Sequence, residues 1–387
     1  MPRSRPTWRT DGDELIDRAI DAFNDWRDTD LRGVRHLLRL DASLGALAFD
    51  AMLRALEAVR SGDHLRATTC LVEAEQLGAR ANEPRLALEL GLATGYVLLT
   101  FGEPFDAAGA LDHVWATAPD DPRLRRRAAG LLAEAAAQLG EAEETDWWWR
   151  QALLCAGACG PAAEATVLQG MAHVALRNAA ASGVGAEREA LACGALAAVD
   201  AAVERQARAG LEASDRDRRR SRLLAGEALL LLGRTTEGRD ALAEVVATGR
   251  DAALGVDDLR PRAHLLLLEV ELERGDLVAA ARHGERGVAS CGDQRLETTL
   301  ALLASRSAAV HERAGDAVAA LRCRRVAADV EARRARRHAD PDALAVERQR
   351  HDALRGARAA RWHGAVRLAA TLDPLTSSPH DPTTSPA

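Results

Sequence analysis

SGDHLRATTCLVEA, Ser61 to Ala74, decides how this chain folds. An apolar helical stretch runs up to it, Gly62 interrupts that stretch, and Asp63 follows. Small or apolar residues then return at Ala67, Leu71 and Ala74, spaced as on one face of a new helix. Glycine closes a helix because it adopts the left-handed backbone conformation without a steric penalty. An acid beside it suits the positive N-terminal end of the helix that begins there. The stretch therefore encodes the turn of a helical hairpin.

The same turn recurs along the chain. Glycine closes an apolar helical stretch at Gly62, Gly102, Gly140, Gly233, Gly275 and Gly315, with gaps of 40, 38, 93, 42 and 40 residues, so one unit is hidden in the long gap. Seven residues before each glycine the residue is small at Ala55, Gly95, Ala133, Gly226 and Ala308, with Leu268 the exception. Five residues after come Ala67, Ala107, Thr145, Gly238, Ala280 and Ala320, and twelve after come Ala74, Val114, Ala152, Val245, Gly287 and Ala327. Small residues at these places let two antiparallel helices approach, and a large residue nine after the glycine (Leu71, Leu111, Trp149, Leu242) fills the space between them. Gly284 and Arg324 break that last rule, so the final two units lose their anchor. In the hidden unit Gly170 takes the small position, a turn is expected near Arg177-Asn178, and an insertion over 179–185 leads to a long helix toward Ala213.

At these positions the sequence resembles tetratricopeptide (TPR) repeats, whose G-D-x-x-x-A turn and small/large/small pattern it matches. The period is nearer 40 residues than the usual value of about 34, so longer helices or loops are expected. The resemblance implies an all-α, TPR-like helical-repeat solenoid that holds a protein or peptide partner in its groove. Repeats are expected over 41–338, after a disordered N-terminus at 1–10 and N-terminal capping helices at 11–40. Ile16, Ile20, Phe23 and Trp26 give the cap an apolar stripe. Asp11-Gly12-Asp13-Glu14-Leu15 reads as an acidic first turn.

Composition narrows the function. All 51 basic residues are arginine and aromatics are 3%, so alanine, leucine and valine must pack the core, which favours helix over sheet. Without lysine there is no phosphate-binding P-loop, and neither a G-x-S-x-G elbow nor an H-E-x-x-H helix occurs. His173 and His264 lie within apolar helical runs and read as structural. Cys155 and Cys159 share a helix face, yet no further ligand at zinc-like spacing joins them, so no metal or cofactor is expected. No apolar run is long enough to span a bilayer and no signal peptide is evident, which points to a cytoplasmic, non-catalytic protein.

Two surface features stand out. In Asp146-Trp147-Trp148-Trp149-Arg150, successive helical residues turn by about 100°, so three tryptophans cannot share one seam. The repeat frame assigns Trp149 to the core and leaves Trp147 or Trp148 partly exposed as a candidate interaction surface (Trp147, Trp148), with packing against the neighbouring repeat the favoured reading. Arginine clusters at Arg216 to Arg222 and Arg322 to Arg337 are interleaved with acids and read as solvated helix faces, which argues against nucleic acid as a partner.

The C-terminal part is basic. Between Arg322 and Arg367 the chain carries a net charge of +7, leaving −14 for the remainder. His338-Ala339-Asp340-Pro341 reads as a helix restart, giving a connector helix over 339–372 and a disordered tail over 373–387. The column 344, 351, 358, 365, 372 is only partly apolar, so a homodimer through this helix has weak heptad support. The helix leads into Leu372-Asp373-Pro374-Leu375-Thr376. This resembles the entry to a GGDEF (diguanylate cyclase) domain, which opens with D-x-L-T-G-L-x-N-R-R. Asp373, Leu375 and Thr376 match its first part, whereas Ser377, Ser378 and Pro379 depart from it and no N-R-R follows. The resemblance implies the signalling input array of such a protein, lacking the catalytic half and with no cyclase activity. The alternatives are a remnant of a TPR-type transcriptional regulator or peptide sensor, and a stand-alone scaffold.

Overall fold

The computed structural model describes residues 8–24, 28–41, 43–118, 120–210, 214–247, 258–291 and 297–337. Among these residues there are sixteen α-helices and no strand. The first pair is α1 (Trp8–Asn24) and α2 (Asp28–Asp41). Seven hairpins follow: α3 (Leu44–Arg60) with α4 (His64–Ala81), α5 (Pro84–Thr100) with α6 (Pro104–Thr117), α7 (Pro122–Gln138) with α8 (Ala142–Cys159), and α9 (Pro161–Ala181) with α10 (Ala186–Ala209). The last three are α11 (Asp215–Leu231) with α12 (Thr235–Ala247), α13 (Leu259–Glu273) with α14 (Leu277–Ser290), and α15 (Glu297–Arg313) with α16 (Ala317–Arg337). Each odd helix packs on its even partner and also on the next odd helix, so the odd helices form the inner layer of an all-α helical-repeat solenoid. None of the helices among the described residues is long and apolar enough to cross a membrane.

The hairpin turns repeat one geometry. Gly62, Gly102, Gly140, Gly233, Gly275 and Gly315 all have φ between 69° and 82°. At Gly62 the glycine N–H donates to Val59 O and the Asp63 N–H reaches back to Ala58 O, both at 2.9 Å. The same two bonds recur at the other five turns, and together they satisfy the last free carbonyls of each helix. Asp63, Asp276 and Asp316 then cap the following helix, accepting from Arg66, Ala279 and Ala319 N–H at 3.1, 2.9 and 2.9 Å.

Packing at the small positions is tight. A Cβ added at Gly95 would sit 2.5 Å from Leu111, and one at Gly226 would sit 2.8 Å from Leu242. The unit at α13 and α14 reverses the rule: Leu268 is large where its counterparts are small, and Gly284 is small where they are large. An added Cβ at Gly284 would meet Leu268 Cδ1 at 3.1 Å, so the exchanged pair fills the same space. The lost anchor of that unit is thus replaced from the opposite helix.

Three expectations need correction. Trp8 to Thr10, assigned above to a disordered N-terminus, form the first turn of α1. Trp8 is buried, donates from Nε1 to both Glu83 carboxylate oxygens at 2.9 and 2.7 Å, and stacks at a tilt on Phe49. Second, α9 does not turn at Arg177-Asn178. Leu176 and Ala179 extend its buried stripe, Ser182 Oγ closes on Asn178 O, and the turn falls at Gly183 and Gly185. Third, the long helix α10 ends at Ala209 with Gly210 as its C-cap, and Ala213 lies outside the described residues. Trp26, the connector helix and the tail lie outside the described residues.

Candidate functional site: a charged lumen

The turn glycines also fix which residues face inward. Counted back from Gly102, Gly140, Gly233 and Gly275, the positions seventeen, thirteen and six residues earlier are Arg85, Glu89 and Tyr96; Arg123, Arg127 and Glu134; Arg216, Arg220 and Glu227; and Asp258, Arg262 and Glu269. On the inner helices this spacing stacks charged groups along one stripe. The first and last units carry Gly45, Phe49 and Leu56, and Thr298, Leu302 and Ala309, at the same places, so the charged stripe belongs to the middle of the array.

Most of these charges are paired between neighbouring helices. The Glu89 carboxylate is buried and accepts from Arg127 at 2.7 Å and Arg85 at 3.1 Å. Arg262 bridges to Glu227 at 2.5 Å, Arg216 to Asp258 at 2.8 Å, and Arg177 to Glu134 at 3.7 Å. The cap joins in. Asp17 of α1 receives Arg85 and Arg123 at 3.0 and 3.4 Å, and the Asn24 carbonyl accepts from Arg216 Nε at 3.0 Å. The first helix thus meets the eleventh, and these contacts bound the inner face of the array, the lumen of the solenoid.

Arg220 has no such partner: no hydrogen bond or ion pair reaches it among the described residues. Its surrounding carboxylates are committed elsewhere, Asp258 to Arg216, Glu134 to Arg177, and Asp217 to the Ser214 hydroxyl at 2.9 Å. Burial, and then Arg216, pull its guanidinium below its ordinary value, with Asp258, Asp217 and Glu134 opposing. Burial raises the Glu134 carboxyl against Arg177 and Arg220. His173, 3.4 Å from Arg262, is pushed down to about 3 by burial and then by Arg262, Arg220 and Arg177, so it is neutral near pH 7. Burial also raises the Tyr96 phenol, which stands edge-on to Phe23 of α1. Among the described residues Arg220 is therefore a lumen cation outside the ion pairs. A half-buried charge without an ion pair keeps part of its desolvation cost, and an incoming anion offsets it.

The residues singled out by sequence fall elsewhere. Trp148 is only 5% exposed, donates from Nε1 to the buried Glu144 at 3.1 Å and stands edge-on to Trp115 of α6 at 5.3 Å, which is packing between repeats. Trp147 is half-buried and packs edge-on to Trp148 at 4.5 Å, leaving it part of the same cluster. Trp149 lies against Gly170, where an added Cβ would come within 2.9 Å of the indole. Cys155 and Cys159 are free thiols on α8. The cluster from Arg216 to Arg222 is not a uniformly solvated face, because Arg216, Arg219 and Arg220 are half-buried while Arg218 and Arg222 are exposed. Asp373, Leu375 and Thr376 lie outside the described residues. The lumen stripe was missed because polar residues leave no mark on hydrophobic periodicity, although the turn glycine places each of its positions.

No protein-family model and no curated protein matches this chain. Solved structures do. A Rap protein complexed with Competence and Sporulation Factor is 12% identical over 84% of this chain and 99% of its own, with a TM-score of 0.51. The apo form of RapI is 8% identical over 73% of this chain and 97% of its own, with a TM-score of 0.47. A tetratricopeptide repeat protein from Parabacteroides merdae is 14% identical over 73% of this chain and 93% of its own, with a TM-score of 0.43. At these identities the likeness is one of fold, a TPR-like helical-repeat array.

Proposed function

We propose that this chain is a non-catalytic recognition module whose lumen receives an acidic segment of a protein or peptide partner. The observation that carries this reading is Arg220, a guanidinium near Asp258, Asp217 and Glu134 that forms no ion pair or hydrogen bond among the described residues. A carboxylate from a partner completes the pattern that Arg127–Glu89 and Arg262–Glu227 set on the neighbouring helices. The similarity in fold to a Rap protein solved with a bound factor is consistent with such a role.

Selection from a random peptide library on the immobilised full chain tests it. Acidic peptides are expected to enrich. Arg220→Glu is expected to weaken them at least about tenfold, the scale of a hydrogen bond to a charged group. Arg222→Glu, on the exposed side of the same helix, leaves them unchanged. Enrichment of neutral or basic peptides, or binding indifferent to Arg220, overturns the reading.

A narrower version makes the array the signalling input of a GGDEF protein and rests on Asp373, Leu375 and Thr376. Reading the DNA beyond the codon for Ala387 in all three frames decides it. A G-L-x-N-R-R run followed by a GGDEF motif supports the narrower version, and its absence leaves the wider one.

A further inference from the structure

A second cavity lies away from the lumen, in the outer layer where α12 and α14 part above α13. It is an open cleft of about 1050 Å³. Ligand pockets typically fall at or below about 1,000 Å³, so it has room for a small organic molecule. Among the described residues Arg239, Asp240, Arg260, His264, His283 and Arg286 line it, three guanidiniums against one carboxylate. Leu267, Val246 and Ala243 supply an apolar wall.

Two histidines meet in its floor. His264, only 2% exposed, and the half-buried His283 bring their Nδ1 atoms to 3.1 Å. One ring must donate and the other accept. A neutral ring that accepts at Nδ1 carries its hydrogen on Nε2, so whichever tautomer forms, one ring keeps an Nε2–H for another acceptor. Both rings are neutral near pH 7. His264 is lowered to about 4 by burial and then by His283, Arg260 and Arg286. His283 is lowered by burial and by Arg286, Arg282 and Arg239, against Glu271.

The chemistry of the lining decides what such a site accepts. A pair of imidazoles at this spacing would chelate a cation, but three arginines repel one, and no group of three metal-ligating side chains occurs among the described residues. An oxyanion fits the same charges. Glu271 holds Arg239 from behind at 2.6 Å, while Arg286 forms no ion pair or hydrogen bond among the described residues and stands exposed at the mouth. Guanidinium forks match phosphate oxygens better than any other side chain does.

We propose that the cleft between α12, α13 and α14 binds a phosphorylated small molecule, with Arg286 and Arg260 on the phosphate, the His264–His283 pair supplying a further donor, and the apolar wall taking the organic body. Calorimetric titration of the full chain near pH 7 with adenosine monophosphate, inorganic pyrophosphate and adenosine tests this. The nucleotide is expected to bind saturably, pyrophosphate to displace it, and adenosine not to bind. Arg286→Glu should weaken the nucleotide at least about tenfold by removing a charge-assisted contact. His283→Asn, at a half-buried position, should weaken it too while leaving the fold intact by circular dichroism. Absence of saturable binding overturns the proposal, as does equal binding by Arg286→Glu or an equal loss in Arg222→Glu, which would show bulk charge alone. Arg220→Glu should bind the nucleotide normally, so failure of the lumen reading and failure of this one are distinguishable.

Discussion

His264 shows at the scale of one residue how burial sets a pH limit. Its folded-state value lies near 4 against an ordinary 6.5, so between those values the unfolded chain binds more protons than the folded one. Its contribution to stability is therefore complete above about pH 6.5 and lost progressively as pH falls toward 4. By pH 5 the loss amounts to about 2 kcal/mol, shared with His283 because the two rings titrate as a pair. His173 acts in the same direction, and the raised carboxyls of Glu134 and Glu269 act in the opposite one. The expected result is a difference between variants: urea midpoints measured at pH 7 and pH 5 should separate less in His264→Gln than in the parent chain. Equal separation in both would mean that the buried pair is not the group responsible. The sequence places His264 inside an apolar run and so gives away its burial, but its partner His283 sits on another helix, nineteen residues on, at no telling spacing.

At the scale of the element, each hairpin is written in a few positions relative to its glycine, and this made most of the fold legible. The left-handed φ at six turns, the approach of Gly95 to Leu111, and the seating of Trp149 on Gly170 all follow from residues visible in the sequence. The hidden unit was harder because no single glycine ends α9. Its stripe runs on through Leu176 and Ala179, and the turn shifts to Gly183. In the unit of α13 and α14 the replacement for the lost anchor was not legible, for a different reason. Pairwise compensation between Leu268 and Gly284 cannot be seen when each position is compared only with its own column. Gly284 is crowded from the next hairpin as well, since an added Cβ would lie 2.3 Å from Ser307 Oγ and 3.0 Å from Ser307 Cβ. Gly284→Ala should therefore destabilise by roughly 1–3 kcal/mol through overpacking. Ser307→Ala removes the nearest clashing atom, a hydroxyl that makes no hydrogen bond of its own, and should recover part of that loss. A double-mutant cycle on denaturation midpoints measures the coupling. Strict additivity would show that α14 and α15 do not meet as closely as described.

For the whole molecule, the question is whether the array behaves as a row of units or as a ring. Repeat arrays are quasi-one-dimensional, each unit touching only its neighbours, and they open from their ends. Here the N-terminal helix is not a free end. Asp17 holds Arg85 and Arg123, and the Asn24 carbonyl receives Arg216, which also carries Asp258. A periodic sequence cannot reveal this closure, because it depends on a small rotation summed over five hairpins, whereas the repeat pattern records only nearest neighbours. The closure also sets Arg216, which holds it, one helical turn from Arg220, the residue of the proposed recognition site. Arg216→Ala should loosen both ends of that link together. Amide exchange in α1 (Trp8–Asn24) and in the first turns of α11 should speed up, with opening free energies lower by on the order of 1–3 kcal/mol, the cost of leaving a charged partner unpaired. Helices α15 and α16, remote from the link, should be unchanged. If exchange in α1 stays as in the parent chain, the contact between first and eleventh helices carries no energy and the array opens as a linear row. If α1 and α11 loosen together, entry of an acidic segment to the lumen is gated by the same arginine that holds the ring shut.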